Sequence, residues 1–192
     1  MELRKISYEA VPVNLKTGEQ KEPSYLKVNS AGLVPFLLLK NGQKLSQSLA
    51  QIAYIDALDE AQGELVIPTA PYDRAKVLEL WEIIAADTHP IQNLSVQFRH
   101  SAKPEERKKW CQDFIARGLR NYLSASQSCR GAFSFGDRVS LADLALIPQI
   151  YNALRFELNV QKDFAPLWSL YESCLATSEC QKSAPEQQAD AV

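Results

Sequence analysis

Residues Val34 to Ile55, VPFLLLKNGQKLSQSLAQIAYI, leave this chain little freedom in how it folds. Val34-Pro35 runs into the apolar Phe36-Leu37-Leu38-Leu39, which predicts a strand with proline at its first position, where a missing N–H costs no ladder bond. Asn41-Gly42 predicts a two-residue hairpin turn, since both residues tolerate positive φ. A return strand at Lys44-Leu45 then meets Ser46-Gln47-Ser48, polar residues able to cap a helix that starts near Leu49 and continues through Ile52, Ala53, Ile55 and Leu58. The start of such a helix offers free amides and a partial positive charge, so it can take a carboxylate, with Ser48 adding a hydroxyl donor. Equally, Ser46 or Ser48 can serve as a cap and nothing more.

Around this unit the chain divides into an α/β domain over 1–61, a linker over 62–71, an all-helical domain over 72–182 and a disordered tail over 183–192. Tyr8 to Leu15 reads as an extended edge segment because it contains Pro12. Pro23 to Val28 reads as a short helix closed by Asn29-Ser30-Ala31-Gly32. Gly63, Pro68 and Pro71 punctuate the linker. Beyond it, Val77, Leu80, Trp81, Ile84 and Ala85 share one helical face, and Thr88-His89-Pro90 interrupts that helix. Pro104-Glu105-Glu106 opens the next helix, carrying Trp110, Phe114, Ile115, Leu119 and Leu123. Ser140 and Asp143 have capping-box spacing, with Val139 and Leu144 as the hydrophobic staple of a helix reaching about Leu154; this pair is a folding device, not a catalytic dyad. A further helix is predicted over Phe164 to Leu175.

A net charge of −2 with both signs scattered gives no basic face for nucleic acid and no polybasic arm for anionic membranes. No window approaches an apolar span of membrane length, so a cytoplasmic location is the expectation. Cys111, Cys129, Cys174 and Cys180 are widely spaced, with only His89 and His100 to join them, which predicts reduced thiols and no metal site. Oxidation could in principle pair Cys174 with Cys180.

Val-Pro, strand, Asn-Gly turn and Gln-Ser at a helix start together resemble the glutathione-binding half of the thioredoxin-like domain in cytosolic glutathione transferases. Four segments in order, Val11-Pro12-Val13-Asn14-Leu15, Gln47-Ser48-Leu49-Ala50, Pro90 to Val96, and Pro148-Gln149-Ile150 with Asn152-Ala153-Leu154-Arg155-Phe156, resemble the zeta class, the maleylacetoacetate isomerases. The resemblance implies a thioredoxin-like first domain followed by an all-helical second, and a homodimer using glutathione. It implies isomerisation of maleylacetoacetate to fumarylacetoacetate in aromatic amino acid catabolism, with glutathione transferase side activity. Pro35 would be cis, and the Val34 backbone would pair with the cysteinyl part of glutathione. Gln47 and Ser48 would hold its γ-glutamyl carboxylate, with Asn93, Leu94, Ser95 and Gln20 contributing. Arg155 would grip a substrate carboxylate through two parallel bonds, as suits a small unsaturated diacid.

The family opens with a strand and a Ser-Ser-Cys type loop that activates the glutathione thiol. This chain starts near the end of the following helix, roughly 15–20 residues on, so none of its residues, Ser7 included, takes the catalytic role. His89 stands where the family has a glutamine. Without the first strand, which would lie between the Tyr8 and Phe36 strands, two rows of backbone groups lose partners. The expectation is either a native protein that starts earlier or a loosened, rebuilt first domain, with the helical half intact. Two other readings remain: a catalytically impaired dimerisation or binding module, and a transferase or dehalogenase acting on another small acid.

Overall fold

A two-stranded antiparallel hairpin is the only sheet among the described residues, 1–188, of the computed structural model. Strand β1 (Phe36–Leu38) pairs with β2 (Lys44–Ser46) in the register Phe36 to Ser46, Leu37 to Leu45 and Leu38 to Lys44. Its turn is longer than the two residues expected. Gly42 alone has positive φ, 83°, its N–H donates to Leu39 O at 2.9 Å, and Leu39 N–H donates to Gln43 O at 2.9 Å. Asn41 serves instead through its side chain, which accepts the Gln43 N–H at 3.0 Å. A hairpin closed by one left-handed glycine is the usual alternative to a turn with two such residues.

The chain divides into two units, one of Met1–Leu65 with the stretch from Ser183, the other of Val66–Lys182. In the first, short 3-10 turns at Glu2–Arg4 and Glu19–Lys21 precede α1 (Pro23–Leu26), which starts on its proline, and α2 (Ser48–Asp56) follows the hairpin. The extended segment Tyr8 to Leu15 joins no sheet, and Val11 is 75% exposed. Lacking a ladder, its end is satisfied locally: Asn14 N–H donates to Glu19 Oε2 at 2.7 Å, and Asn14 Oδ1 accepts from Lys16 and Thr17.

No apolar side chain of this unit is buried among the described residues; the buried side chains belong to Arg4, Asn29, Gln51 and Asp56. Arg4 Nε lies 3.2 Å from Asp56 Oδ1. Its other nitrogens donate to the carbonyls of Asp56, Gln62 and Gly63, so one guanidinium ties the chain start to the end of α2 and the segment beyond it.

The second unit is helical: α3 (Pro71–Ala85), a 3-10 turn (Pro90–Gln92), α4 (Leu94–His100), α5 (Pro104–Ala125), α6 (Leu141–Arg155), α7 (Val160–Asp163), α8 (Ala165–Leu175) and α9 (Ser178–Ser183). Pro71 and Pro104 open their helices, where the missing N–H is an orphan in any case. Helix α3 packs on α5 and α6, and α6 on α8. Val77, Leu80, Ile115, Leu119, Leu146, Ile150 and Leu167 are withdrawn from water between them. The approach at Gly118 is close: a Cβ there would lie 2.1 Å from Thr88 Oγ1.

Val66 and Ile67, expected within the linker, are buried in this unit, and Val66 O accepts the Leu141 N–H at 2.8 Å. The helix expected from Phe164 starts at Ala165 and is preceded by the separate turn α7, whose Lys162 N–H is capped by Asn159 at 3.1 Å. Where a disordered tail was expected from residue 183, α9 runs to Ser183 and a 3-10 turn spans Pro185–Gln187; residues 189–192 of that tail lie outside the described residues. Among the described residues no helix is long and apolar enough to cross a membrane.

Candidate active site

The hairpin register decides which of the candidate residues meet. Phe36 pairs with Ser46, so the preceding Val34-Pro35 and the following Gln47-Ser48 leave the same end of the ladder side by side. The Val34-Pro35 peptide is cis. The approach to it is pinned: Leu33 O accepts from Tyr25 OH at 2.8 Å and from Asn29 Nδ2 at 2.7 Å, and Gly32 O accepts from Lys21 Nζ at 3.1 Å. Gly32 has φ 59°, and a Cβ there would sit 2.9 Å from Gln20 O, so Gln20 lies against this approach. Gln20 Oε1 is buried with no hydrogen-bond donor.

Helix α2 is not capped by a serine. Ser46 ends β2 and Ser48 is the first helical residue, which makes Gln47 the N-cap, at φ 72° and ψ 117°, with no side-chain capping bond. A non-glycine residue in the left-handed region costs of order 1–3 kcal/mol and concentrates at ligand sites. The amides of the first turn thus keep their donor capacity, beside the Ser48 hydroxyl. Gln51, which the sequence analysis does not single out, is buried and donates from Nε2 to both Pro35 O and Leu45 O at 3.0 Å.

The other candidates lie in the helical unit. Asn93 precedes α4, Leu94 opens it at 68% exposure, and Ser95 follows. Directly before them Gln92 is the hub of a buried amide lattice. Its Nε2 donates to Thr88 O at 2.9 Å and Gln149 Oε1 at 3.0 Å, and its Oε1 accepts from Gln149 Nε2 at 3.2 Å and from Asn152 Nδ2. Gln97 Nε2 donates to Gln92 O at 2.6 Å. Two motif segments far apart in sequence, Pro90 to Val96 and Pro148 to Phe156, are joined by this lattice, and each buried amide finds a partner for donor and acceptor alike. The lattice escaped sequence reading because its glutamines carried no role beyond the motif. Arg155 ends α6 next to Asn152, exposed and without an ion pair among the described residues. Partial burial lowers the imidazole of His89 from its ordinary value, so it is neutral at pH 7.

Ser140 and Asp143 form a capping box at the start of α6. Asp143 accepts from Ser140 N at 2.8 Å, Ser140 Oγ at 3.0 Å and Ser134 N at 2.8 Å. All four cysteine thiols are pushed up by burial, so none is an activated nucleophile. Among the described residues no cluster of histidine, cysteine and carboxylate side chains is arranged to hold a metal.

Residues 1–58 match the family model "Glutathione S-transferase, N-terminal domain". The maleylacetoacetate isomerase of Rhizobium meliloti is 38% identical over 159 residues, covering 80% of this chain and 73% of its own. A zeta-class glutathione S-transferase of Euphorbia esula is 32% identical, aligned over the whole of this chain and 85% of its own. Among solved structures, the maleylacetoacetate isomerase of Methylobacterium extorquens AM1, with malonate and glutathione bound, superposes with a TM-score of 0.92 at 28% identity, over all of this chain and 91% of the other.

Proposed function

Since this chain belongs to the glutathione transferases, in the zeta class with the maleylacetoacetate isomerases, we propose that it isomerises maleylacetoacetate to fumarylacetoacetate with glutathione as cofactor and has transferase side activity. The observation that carries the reading is the end of the hairpin, where cis Val34-Pro35 lies beside Gln47-Ser48 and an α2 N-terminus that no side chain caps.

That donor set fits glutathione. The first-turn amides of α2 and Ser48 Oγ suit the γ-glutamyl carboxylate, the exposed Val34 backbone suits the cysteinyl amide, and the orphaned Gln20 Oε1 suits an N–H. Bound glutathione would supply a thiol whose addition turns the cis double bond into a single bond free to rotate, and whose elimination restores the double bond as trans. Arg155 at the end of α6 is the clamp for a substrate carboxylate, since a planar guanidinium with no ion pair can give two parallel N–H bonds. The buried Gln92, Gln149 and Asn152 lattice fixes the turn that carries Arg155 and the stretch Asn93, Leu94 and Ser95. A homodimer in the cytoplasm acting on a small unsaturated diacid completes the reading, and the malonate bound with glutathione in the Methylobacterium extorquens isomerase supports the diacid.

A second reading, a dimerisation or binding module with impaired turnover, draws on the absence of a buried apolar side chain among the described residues of the hairpin unit. Two measurements separate the readings. Glutathione at millimolar concentration should raise the melting temperature, as a ligand of the folded state does, and maleylacetoacetate should be isomerised only when glutathione is present. A melting temperature indifferent to glutathione, with no isomerase activity, sinks the enzyme reading.

A further inference from the structure

We propose that Gln51 is a positioning residue for glutathione recognition: its amide locks the cis Val34-Pro35 peptide, the end of β2 and the first turn of α2 into one cradle. The inference rests on the glutathione-binding reading above and concerns a residue that touches no part of the ligand.

Three hydrogen bonds define the cradle. The Gln51 backbone N–H donates to Gln47 O at 3.1 Å, so it holds the carbonyl of the residue with φ 72°. Its Nε2 donates to Pro35 O and to Leu45 O, each at 3.0 Å. A primary amide has two N–H donors, and both are used. Pro35 leads into β1, Leu45 lies on β2, and Gln47 starts α2, so one residue joins the three elements that converge on the candidate site. At 8% exposure Gln51 is one of the few buried side chains of a unit in which no apolar side chain is buried among the described residues.

Directional bonds, rather than packing, therefore set the spacing between the Val34 backbone and Ser48. Position 51 lies between Leu49 and Ile52 in an otherwise apolar helix start, and an aliphatic residue there would suit the stripe. It would also take the side-chain donor away from the Pro35 and Leu45 carbonyls. Glutathione presents a backbone amide and a carboxylate at a spacing its own covalent structure restricts. A cradle free to widen loses affinity for it before it loses its fold.

The test compares Gln51→Met, which keeps length and burial but removes both donors, with Ala53→Gly, which weakens the same helix without touching either carbonyl. Calorimetric titration with glutathione and steady-state isomerisation kinetics are run on the full chain. The expected result for Gln51→Met is a Kd and a KM for glutathione raised about tenfold, as the loss of one or two neutral hydrogen bonds implies, with kcat within about twofold. Ala53→Gly should bind as the unaltered chain does. Equal affinity in Gln51→Met, or an equal loss in Ala53→Gly, overturns the proposal while leaving the glutathione reading intact. An unaltered chain that does not bind glutathione sinks both. If Gln51→Met does not fold, Gln51→Glu replaces it: a neutral carboxylic acid can donate one bond and a carboxylate none, so its affinity relative to the unaltered chain should fall as pH rises. A ratio that is flat with pH overturns the proposal.

Discussion

In the unit that begins at Val66, Leu80, Ile115, Leu146 and Ile150 are withdrawn from water; in the unit that begins at Met1, side chains buried to a similar degree are those of Arg4, Asn29, Gln51 and Asp56. The difference is one of physical means. Apolar burial is non-directional and contributes about 1.5–3 kcal/mol for each large side chain. A hydrogen bond is directional and contributes only about 0.5–1.5 kcal/mol net. The helical unit is thus stabilised without much regard to small shifts, whereas the hairpin unit has its geometry specified at little gain in stability. A site that must match a peptide-like ligand is well served by the second means.

The largest effect expected is from Arg4→Met, which breaks the buried Arg4–Asp56 pair and removes the donors to the Asp56, Gln62 and Gly63 carbonyls, at a cost of about 3–5 kcal/mol. Amides of α2 should lose hydrogen-exchange protection while those of α5 and α6 keep theirs, and Arg4→Met combined with Asp56→Leu should recover much of the loss. Faster exchange throughout α6 would break the contrast between the units. Leu80→Ala should cost about 2–5 kcal/mol and lower the melting temperature by about 2–4 °C for each kcal/mol, with glutathione affinity unchanged. A raised glutathione Kd in that variant would mean that apolar packing also sets the cradle.

Alkaline pH separates the units next. Burial pushes the Tyr122 hydroxyl and the Cys174 thiol well up, and Asp143 adds to both. The unfolded chain then gives up these protons first, so the Cys174 contribution falls as pH rises above the ordinary thiol value of about 8.5 and the Tyr122 contribution only above the ordinary tyrosine value of about 10, each by up to about 1.4 kcal/mol per pH unit. Denaturant titrations at pH 8 and pH 10 should reveal the loss, and Cys174→Ser should flatten it. An unchanged pH slope in that variant would remove Cys174 from the account. The smallest effect is expected from Val11→Ser, within about 0.5 kcal/mol, because its exposed segment belongs to no sheet. A larger loss would mean that Val11 is covered in solution.

The helical unit was the more legible in the sequence. Pro71 and Pro104 at helix starts, the Ser140 and Asp143 box, and the apolar spacing of Val77, Leu80, Trp81 and Ile84 are local signals, each set within a turn or two. The hairpin itself was legible for the same reason. Arg4 reaching Asp56, Gln51 reaching Pro35 and Gln92 reaching Gln149 were not, since a polar residue does not announce a partner 16 to 57 positions away. Tyr8 to Leu15 failed for the opposite reason: its extended pattern was real, but a strand exists only with a neighbour. The stretch Ser46-Gln47-Ser48 was legible as able to cap a helix because capping is a local property. That Gln47 takes the position with a left-handed backbone is a property of the whole site.

The crowding at Gly118 bears on how this chain can diverge. Thr88 is fixed by its own hydroxyl bond to Ile83 O at 2.6 Å, and its Cβ would lie 2.8 Å from a methyl group at 118. Shortening Thr88 to alanine still leaves that clash. An alanine at 118 is therefore reachable only in lineages where residue 88 has already become glycine or α5 has already moved. With α5 held in place, position 88 must shrink before position 118 can gain a side chain, and a library that varies 118 alone should strongly favour glycine.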